Sequence, residues 1–129
     1  MKSAAERLLI KPGARIRVLG DEAGSAGRLG PLPAGATLVA AGGADAVVLF
    51  ARSSDAVTRQ LSEASRAAGP DGLLWLAYPK GTSGVKTDLG RDSLTPLTDR
   101  IAGLTGVTLV SVDETWSAMR LRPSERYRA

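Results

Sequence analysis

Residues 45–51 read DAVVLFA and residues 72–78 read GLLWLAY. Both are apolar throughout, with no alternation of polar side chains. A strand with one wet face alternates, whereas a strand covered on both faces does not, and parallel strands of α/β proteins read that way. The two segments are therefore expected to be central parallel strands. Between them, in SSDAVTRQLSEASRAAGPDG (53–72), Val57, Leu61, Ala64 and Ala68 recur at spacings of four, three and four. That is one face of a helix, capped by Ser53 or Ser54 and ended at Gly69–Pro70. Strand, helix, strand in this order implies a right-handed crossover in a mostly parallel sheet.

Toward the amino terminus, ARIRVLG (14–20) alternates Arg15 and Arg17 with Ile16 and Val18, a strand with one face less buried. ATLVA (36–40) reads as a short second strand ended by Gly42–Gly43. DEAGSAGRLGPLPAG (21–35) between them reads as a loop with one helical turn near Glu22–Ala26. Ser3 to Leu9 reads as a short helix, with Ser3 and Glu6 at capping-box spacing and KPG (11–13) as its stop.

Toward the carboxyl terminus, Leu94, Leu97, Ile101 and Leu104 mark a second amphipathic helix. Pro96 fits only its first turn, so the cap is Asp92 or Ser93, or else Thr95 with Pro96 at the first position. GVTLVSV (106–112) and TWSAMRLRP (115–123) are strands joined at DET (113–115), a link that permits only an antiparallel hairpin. The expected fold is one α/β domain over 1–129, a three-layer Rossmann-like, mostly parallel sheet with a C-terminal antiparallel hairpin. Residues 1–13 form a short helix and turn, and 124–129 a frayed basic tail. This arrangement resembles a truncated class I methyltransferase fold.

A chain of 129 residues with 43% hydrophobic and 23% charged residues has the composition of one folded domain. It contains no histidine and no cysteine, which excludes a Ser–His–Asp triad, thiol chemistry and the usual zinc ligands. MKSAAERLLIKPG has a charge at Glu6 and a three-residue apolar run, so it does not read as a secretory signal. No stretch approaches the roughly 20 apolar residues that span a bilayer. The expected location is cytoplasmic, with no membrane contact. The net charge is +4, and Arg120, Arg122, Arg126 and Arg128 crowd the tail. Aromatic residues for base stacking are scarce, which counts against nucleic acid as a partner.

YPKGTSGVKTDLGRD (78–92) leaves the second central strand where open α/β sheets hold ligands. Lys80, Lys86 and Arg91 offer charge, Thr82, Ser83 and Thr87 offer donors, and a helix amino terminus follows. Val85 separates Gly84 from Lys86, so the loop is not a Walker A motif. The glycines at 20, 24, 27 and 30 do not match G-x-G-x-x-G. A structural reading stands beside the functional one: Asp88 and Asp92 cap turns, Gly81 and Gly84 take positive φ, and the lysines are solvated. Asp88, Asp92 and Asp113 also have the chemistry to share a magnesium ion, although no metal or cofactor is expected. Trp75 is expected in the core. Trp116 is expected to pack over the hairpin rather than on a ligand, with Arg120 and Arg122 on its strand face.

The runs W-x-x-Y-P-K…S-x-V-K-T-D-L-x-R-D (75–92) and D-x-T-W-S-A-x-R-x-R-P (113–123), with IKPGARIRVLG (10–20) and GRLGPLPAG (27–35), resemble an uncharacterised bacterial family designated domain of unknown function 3052. The likeness runs from Leu8 to Pro123. It departs at Thr95, before Pro96, where members often carry a bulky aromatic. The resemblance implies a fold and no reaction. The family-marking cluster it carries over is Lys80, Ser83, Lys86, Thr87, Asp88, Arg91, Asp92, Asp113, Trp116 and Arg120.

Three functions compete. The first is a non-catalytic module binding an anionic small molecule or a protein partner through the Lys80–Asp92 loop. The second is a reduced S-adenosylmethionine-dependent, methyltransferase-like enzyme, with Lys80 or Lys86 and Asp88 or Asp113 as its candidate reactive groups. The third is nucleic-acid binding through the arginine-rich C-terminal strand. A homo-oligomer through an exposed edge at the first or second strand is compatible with each.

Overall fold

The computed structural model describes residues 2–20 and 25–127. In chain order the elements are α1 (Ala4–Arg7), β1 (Arg15–Leu19), a 3-10 turn (Ala26–Leu29), β2 (Thr37–Leu38), β3 (Ala46–Phe50), α2 (Ser54–Ala68), β4 (Leu73–Pro79), α3 (Arg91–Ala102), β5 (Leu104–Ser111), β6 (Trp116–Pro123) and a second 3-10 turn (Ser124–Tyr127). The strands form one six-stranded sheet in the order β2-β1-β3-β4-β6-β5. β2, β1, β3 and β4 run parallel, and β6 is antiparallel to both β4 and β5.

The two apolar runs are the centre of this sheet. All five residues of β3 and the last six of β4 are buried. Val47, Leu49, Leu74 and Leu76 face α2 and α3, meeting Val57, Leu61, Leu94 and Leu97. Val48, Phe50, Trp75 and Ala77 face the other way, against Ala5 of α1, Leu8 and Ile10 just after it, and Leu29 of the first 3-10 turn. Each fully buried Leu, Val or Phe contributes about 1.5–3 kcal/mol of transfer free energy, so the doubly covered strands hold the layers together. The indole N–H of Trp75 donates to the Leu8 carbonyl at 2.9 Å and fixes the first helix to the sheet.

Several boundaries differ from the sequence reading, each for a local reason. β2 is two residues long, not five; Val39 still donates to the Ile16 carbonyl before the glycines end the pairing. Helix α3 starts at Arg91 with Gly90 as its cap, because the Ser93 hydroxyl accepts the Gly90 N–H at 2.9 Å. Pro96 therefore sits inside the helix, past the first turn. The helix stops at Ala102, with Gly103 left-handed at φ 66°, so Leu104 begins β5 and does not extend the helix face. The expected tail carries a 3-10 turn whose Ser124 is buried and donates its N–H to the Gly103 carbonyl at 2.9 Å. The helical turn between β1 and β2 lies at Ala26–Leu29. Glu22 and Arg128 fall outside the described residues. The sheet edges are β2 and β5, not the first strand.

Thr98 joins α3 to β5. Its side chain is fully buried, and its hydroxyl donates to the Leu104 carbonyl at 2.8 Å. Thr98→Val keeps the shape and removes the donor, so it is expected to cost about 1 kcal/mol. Urea unfolding with an unchanged slope checks this, and no loss would mean that the bond is not part of the helix–strand junction.

Candidate functional site

Strand order reverses between β1 and β3. The chain goes outward from β1 to β2, then returns past β1 to β3. In open α/β sheets a ligand crevice lies at such a switch, beyond the carboxyl ends of the strands. Gly20 follows β1 there with φ +123°, and a Cβ on it would lie 2.3 Å from the Phe50 carbonyl oxygen. Beside it, Val18, Leu38, Val39, Ala40 and Ala26 line an apolar slot of about 250 Å³ at the carboxyl half of β1 and β2. Leu38 is 50% exposed, although it is a large apolar side chain.

The Lys80–Asp92 loop leaves β4 on the same edge. The Lys80 N–H donates to the Thr115 carbonyl at 2.7 Å, and its ammonium donates to the Ser111 hydroxyl at 2.7 Å. The loop thus starts against the β5–β6 hairpin. The Ser83 hydroxyl donates to the Lys80 carbonyl and accepts the Val85 N–H, closing a turn. Gly84 takes a positive φ of 80°, and Gly81 is not among the positive-φ glycines. The far end crosses to α2, where the Thr87 hydroxyl donates to the Arg52 carbonyl. The Asp88 carboxylate accepts the Ser54 N–H at 2.8 Å and the Ser54 hydroxyl at 2.5 Å. Those two bonds hold the Asp88 carboxyl below the usual range. Asp88 therefore reinforces the Ser53 cap of α2. Lys86, Arg91 and Asp92 are exposed, the last two in the first turn of α3. Burial raises the neighbouring Tyr78 hydroxyl; Arg91 opposes that shift and Asp92 adds to it.

A second group forms at the hairpin. One Asp113 oxygen accepts the N–H groups of Thr115 and Trp116, each at 2.8 Å, and the other meets Arg28 Nη1 at 2.9 Å. Burial pushes this carboxyl up, but the two backbone donors and the Arg28 guanidinium outweigh it, and it lies below the usual value. Arg28 also lies over the Trp116 ring, 5.6 Å from its centroid. Trp116 is buried edge-on against Phe50, with centroids 5.2 Å apart and an interplanar angle of 77°. Sequence reasoning passed over Arg28, yet it lies inside GRLGPLPAG, one of the stretches that carry the family likeness.

Arg120 stands apart. It pairs with Trp75 on β4 and lines cavities with Asp71, toward the amino ends of the parallel strands. The ten candidate residues thus divide among the loop, the hairpin cluster and the opposite edge. Among the described residues, Asp88, Asp92 and Asp113 do not assemble a metal-binding group.

Because the folded pKa of Asp113 is depressed, its stabilising effect is full above the unfolded-state value and lost as pH falls through the lower folded one. Wild type should lose stability below about pH 4, and Asp113→Asn should show a flatter decline there from a lower plateau at neutral pH. Thermal unfolding from about pH 7 to about pH 3 measures both. Parallel curves would remove Asp113 from the account.

No family model and no curated protein matches the chain. Solved structures do. One is an O-methyltransferase of neocarzinostatin biosynthesis, in complex with S-adenosylmethionine and 2-hydroxy-5-methyl naphthoic acid. It matches at 16% identity and TM-score 0.62, over 95% of this chain and 50% of that one. A SAM-dependent methyltransferase from Aquifex aeolicus matches at 13% identity and TM-score 0.58, over 90% and 85%. An M1A22 tRNA methyltransferase from B. subtilis matches at 11% identity and TM-score 0.54, over 95% and 67%. The chain spans half the length of the first. It has a methyltransferase-like Rossmann fold, truncated, with an antiparallel C-terminal hairpin. No described helix is long and apolar enough to cross a membrane.

Proposed function

We propose that this chain is a reduced methyltransferase-like domain that binds S-adenosylmethionine, or a related adenosyl ligand, at the carboxyl edge of β1 and β2. We also place it in the bacterial family designated domain of unknown function 3052, on the motifs quoted above. The observation that carries the ligand reading is the apolar slot under half-exposed Leu38, beside the reversal of strand order. Its walls, Val18, Leu38, Val39 and Ala40, fit a planar heterocycle. At about 250 Å³ the slot is smaller than the roughly 300–1,000 Å³ of sites that enclose a whole small molecule. It therefore takes the adenine end and leaves the amino-acid end outside the slot.

S-adenosylmethionine supplies an electrophilic methyl group. The chain's own part is to bind and align, and alignment by itself is worth several kcal/mol. The lack of histidine and cysteine does not disqualify it for that part. The non-catalytic loop reading takes second place, because Thr87 and Asp88 are engaged in holding the start of α2; Lys86 and Arg91 remain exposed and without ion pairs among the described residues.

Calorimetric titration with S-adenosylmethionine and S-adenosylhomocysteine tests the proposal. Saturable binding is expected, weakened at least about tenfold by Leu38→Asp, an exposed position where the fold should persist. Labelled methyl donor then reads turnover. Absence of heat and of any thermal shift at millimolar ligand would sink it.

A further inference from the structure

The face of the sheet that carries Trp75 holds a trough that the adenosyl reading does not use. Just past α1, at the amino ends of β3 and β4, a cavity of about 410 Å³ opens over Ala46 and Leu73. Ile10 and Ala14 also line it, and all four belong to the apolar layer on that face. Its volume falls within the roughly 300–1,000 Å³ of small-molecule sites. Arg120 is the half-buried cation of the lining. Alternation along β6 puts it on the same face as Trp116 and Ala118, and it stands opposite Trp75. Among the described residues it makes no ion pair, and its Nε is shut off from solvent with no partner. A buried polar group left unpaired in a native protein calls for a water, ion or ligand that completes the bonding. Leu9, at the lip of the trough, is a second anomaly. As α1 ends, the Leu9 N–H donates to the Glu6 carbonyl at 3.0 Å and the Ile10 N–H to the Ala5 carbonyl at 3.1 Å. That helix ending takes a left-handed residue, as a rule glycine. Here it is leucine, at φ 65°, and every other positive-φ residue described is glycine. The Leu9 side chain is nonetheless 50% exposed, so its own burial does not offset the strain.

We infer that this trough binds an amphiphilic carboxylate, its apolar body over Ala46 and Leu73 beneath Leu9 and its carboxylate on the Arg120 guanidinium. A guanidinium meets a carboxylate with paired N–H···O bonds as well as charge. The ligand covers the exposed Leu9 side chain, a contact that glycine at this position could not make. Two exposed carboxylates, Asp45 and Asp71, line the rim and oppose an anion. Asp45 already accepts the Arg15 N–H at 2.8 Å. Lys11, exposed at the same rim, offsets one of the two charges, and exposed charges are screened by salt. What repulsion remains selects a monoanion: a phosphate dianion would face the same acids with twice the charge and still have one guanidinium.

The probe is octanoate, titrated by calorimetry into the full chain. Saturable binding is expected, at least about tenfold tighter than that of octanol, which keeps the tail and lacks the charge. Arg120→Gln should abolish that preference. Leu9→Gly should weaken octanoate binding at least about threefold while raising the midpoint of thermal unfolding, a combination that a purely structural leucine would not give. Circular dichroism checks the fold of both variants; if Arg120→Gln does not fold, the octanoate–octanol ratio and Leu9→Gly carry the test. No saturable binding of octanoate, octanol bound as tightly, or unchanged octanoate affinity in folded Arg120→Gln or in Leu9→Gly overturns the inference. Leu38→Asp, at the carboxyl ends of the strands, should leave octanoate binding unchanged, so this result and that of the adenosyl titration stand independently.

Discussion

Trp75→Ala is expected to destabilise the fold by about 3–5 kcal/mol, the largest loss from any single truncation considered. The indole is 1% exposed, in the middle of a strand covered on both sides. Truncation opens a cavity between β4 and the first helix and strips the Leu8 carbonyl of its donor. Domains of this size have roughly 5–15 kcal/mol in total, so the variant should be partly unfolded under mild heating. Trp75→Phe keeps most of the volume and removes the N–H; it should cost less, about 1–2 kcal/mol. Guanidinium unfolding of both variants separates packing from hydrogen bonding. A loss under about 1 kcal/mol for Trp75→Ala would contradict the packing described for this face.

Gly20→Ala should cost about 3 kcal/mol or more, although it adds a single methyl group. Strain at φ +123° contributes about 1–3 kcal/mol. The added carbon would also lie 2.3 Å from a backbone oxygen and 3.1 Å from the Phe50 Cβ, and backbone cannot rotate aside as a side-chain tip can. Relief requires β1 and β3 to part at the switch point. Gly13→Ala is the matched control: φ is +78° there, with nothing within 4 Å of the added carbon. It should show the strain alone, about 1–2 kcal/mol. Equal losses at the two positions would mean that the close approach to Phe50 is immaterial.

These residues also show what could be read in advance. β3, β4 and α2 were legible because burial on both faces leaves an unbroken apolar run and because helix periodicity fixes a face; neither depends on distant partners. The hairpin was legible from the length of its link. Pro96 misled because the Gly90–Ser93 cap starts the helix five residues before it, so the proline falls past the first turn, where local sequence rules do not place one. Asp88 was open to two readings because its partner, Ser54, lies 34 residues away, and a capping carboxylate has the same local spelling as a reactive one. Arg28 escaped notice for the same reason: Asp113 and Trp116, which it serves, are distant in sequence. Arg120 was grouped with Trp116 by strand periodicity, which gives the face but not the height along the strand.

The Arg7 guanidinium donates to the carbonyls of Ser111 and Val112, 104 and 105 residues away, at 3.0 and 2.7 Å. Such a tie cannot form while a ribosome is still delivering the final ribbon. Until then the first helix is held only by Trp75 and its packing on the earlier strands, and its Trp116 side stays wet. Pairings so remote along the chain slow folding, so the nascent polypeptide spends its most adhesive interval with that side open to chaperones.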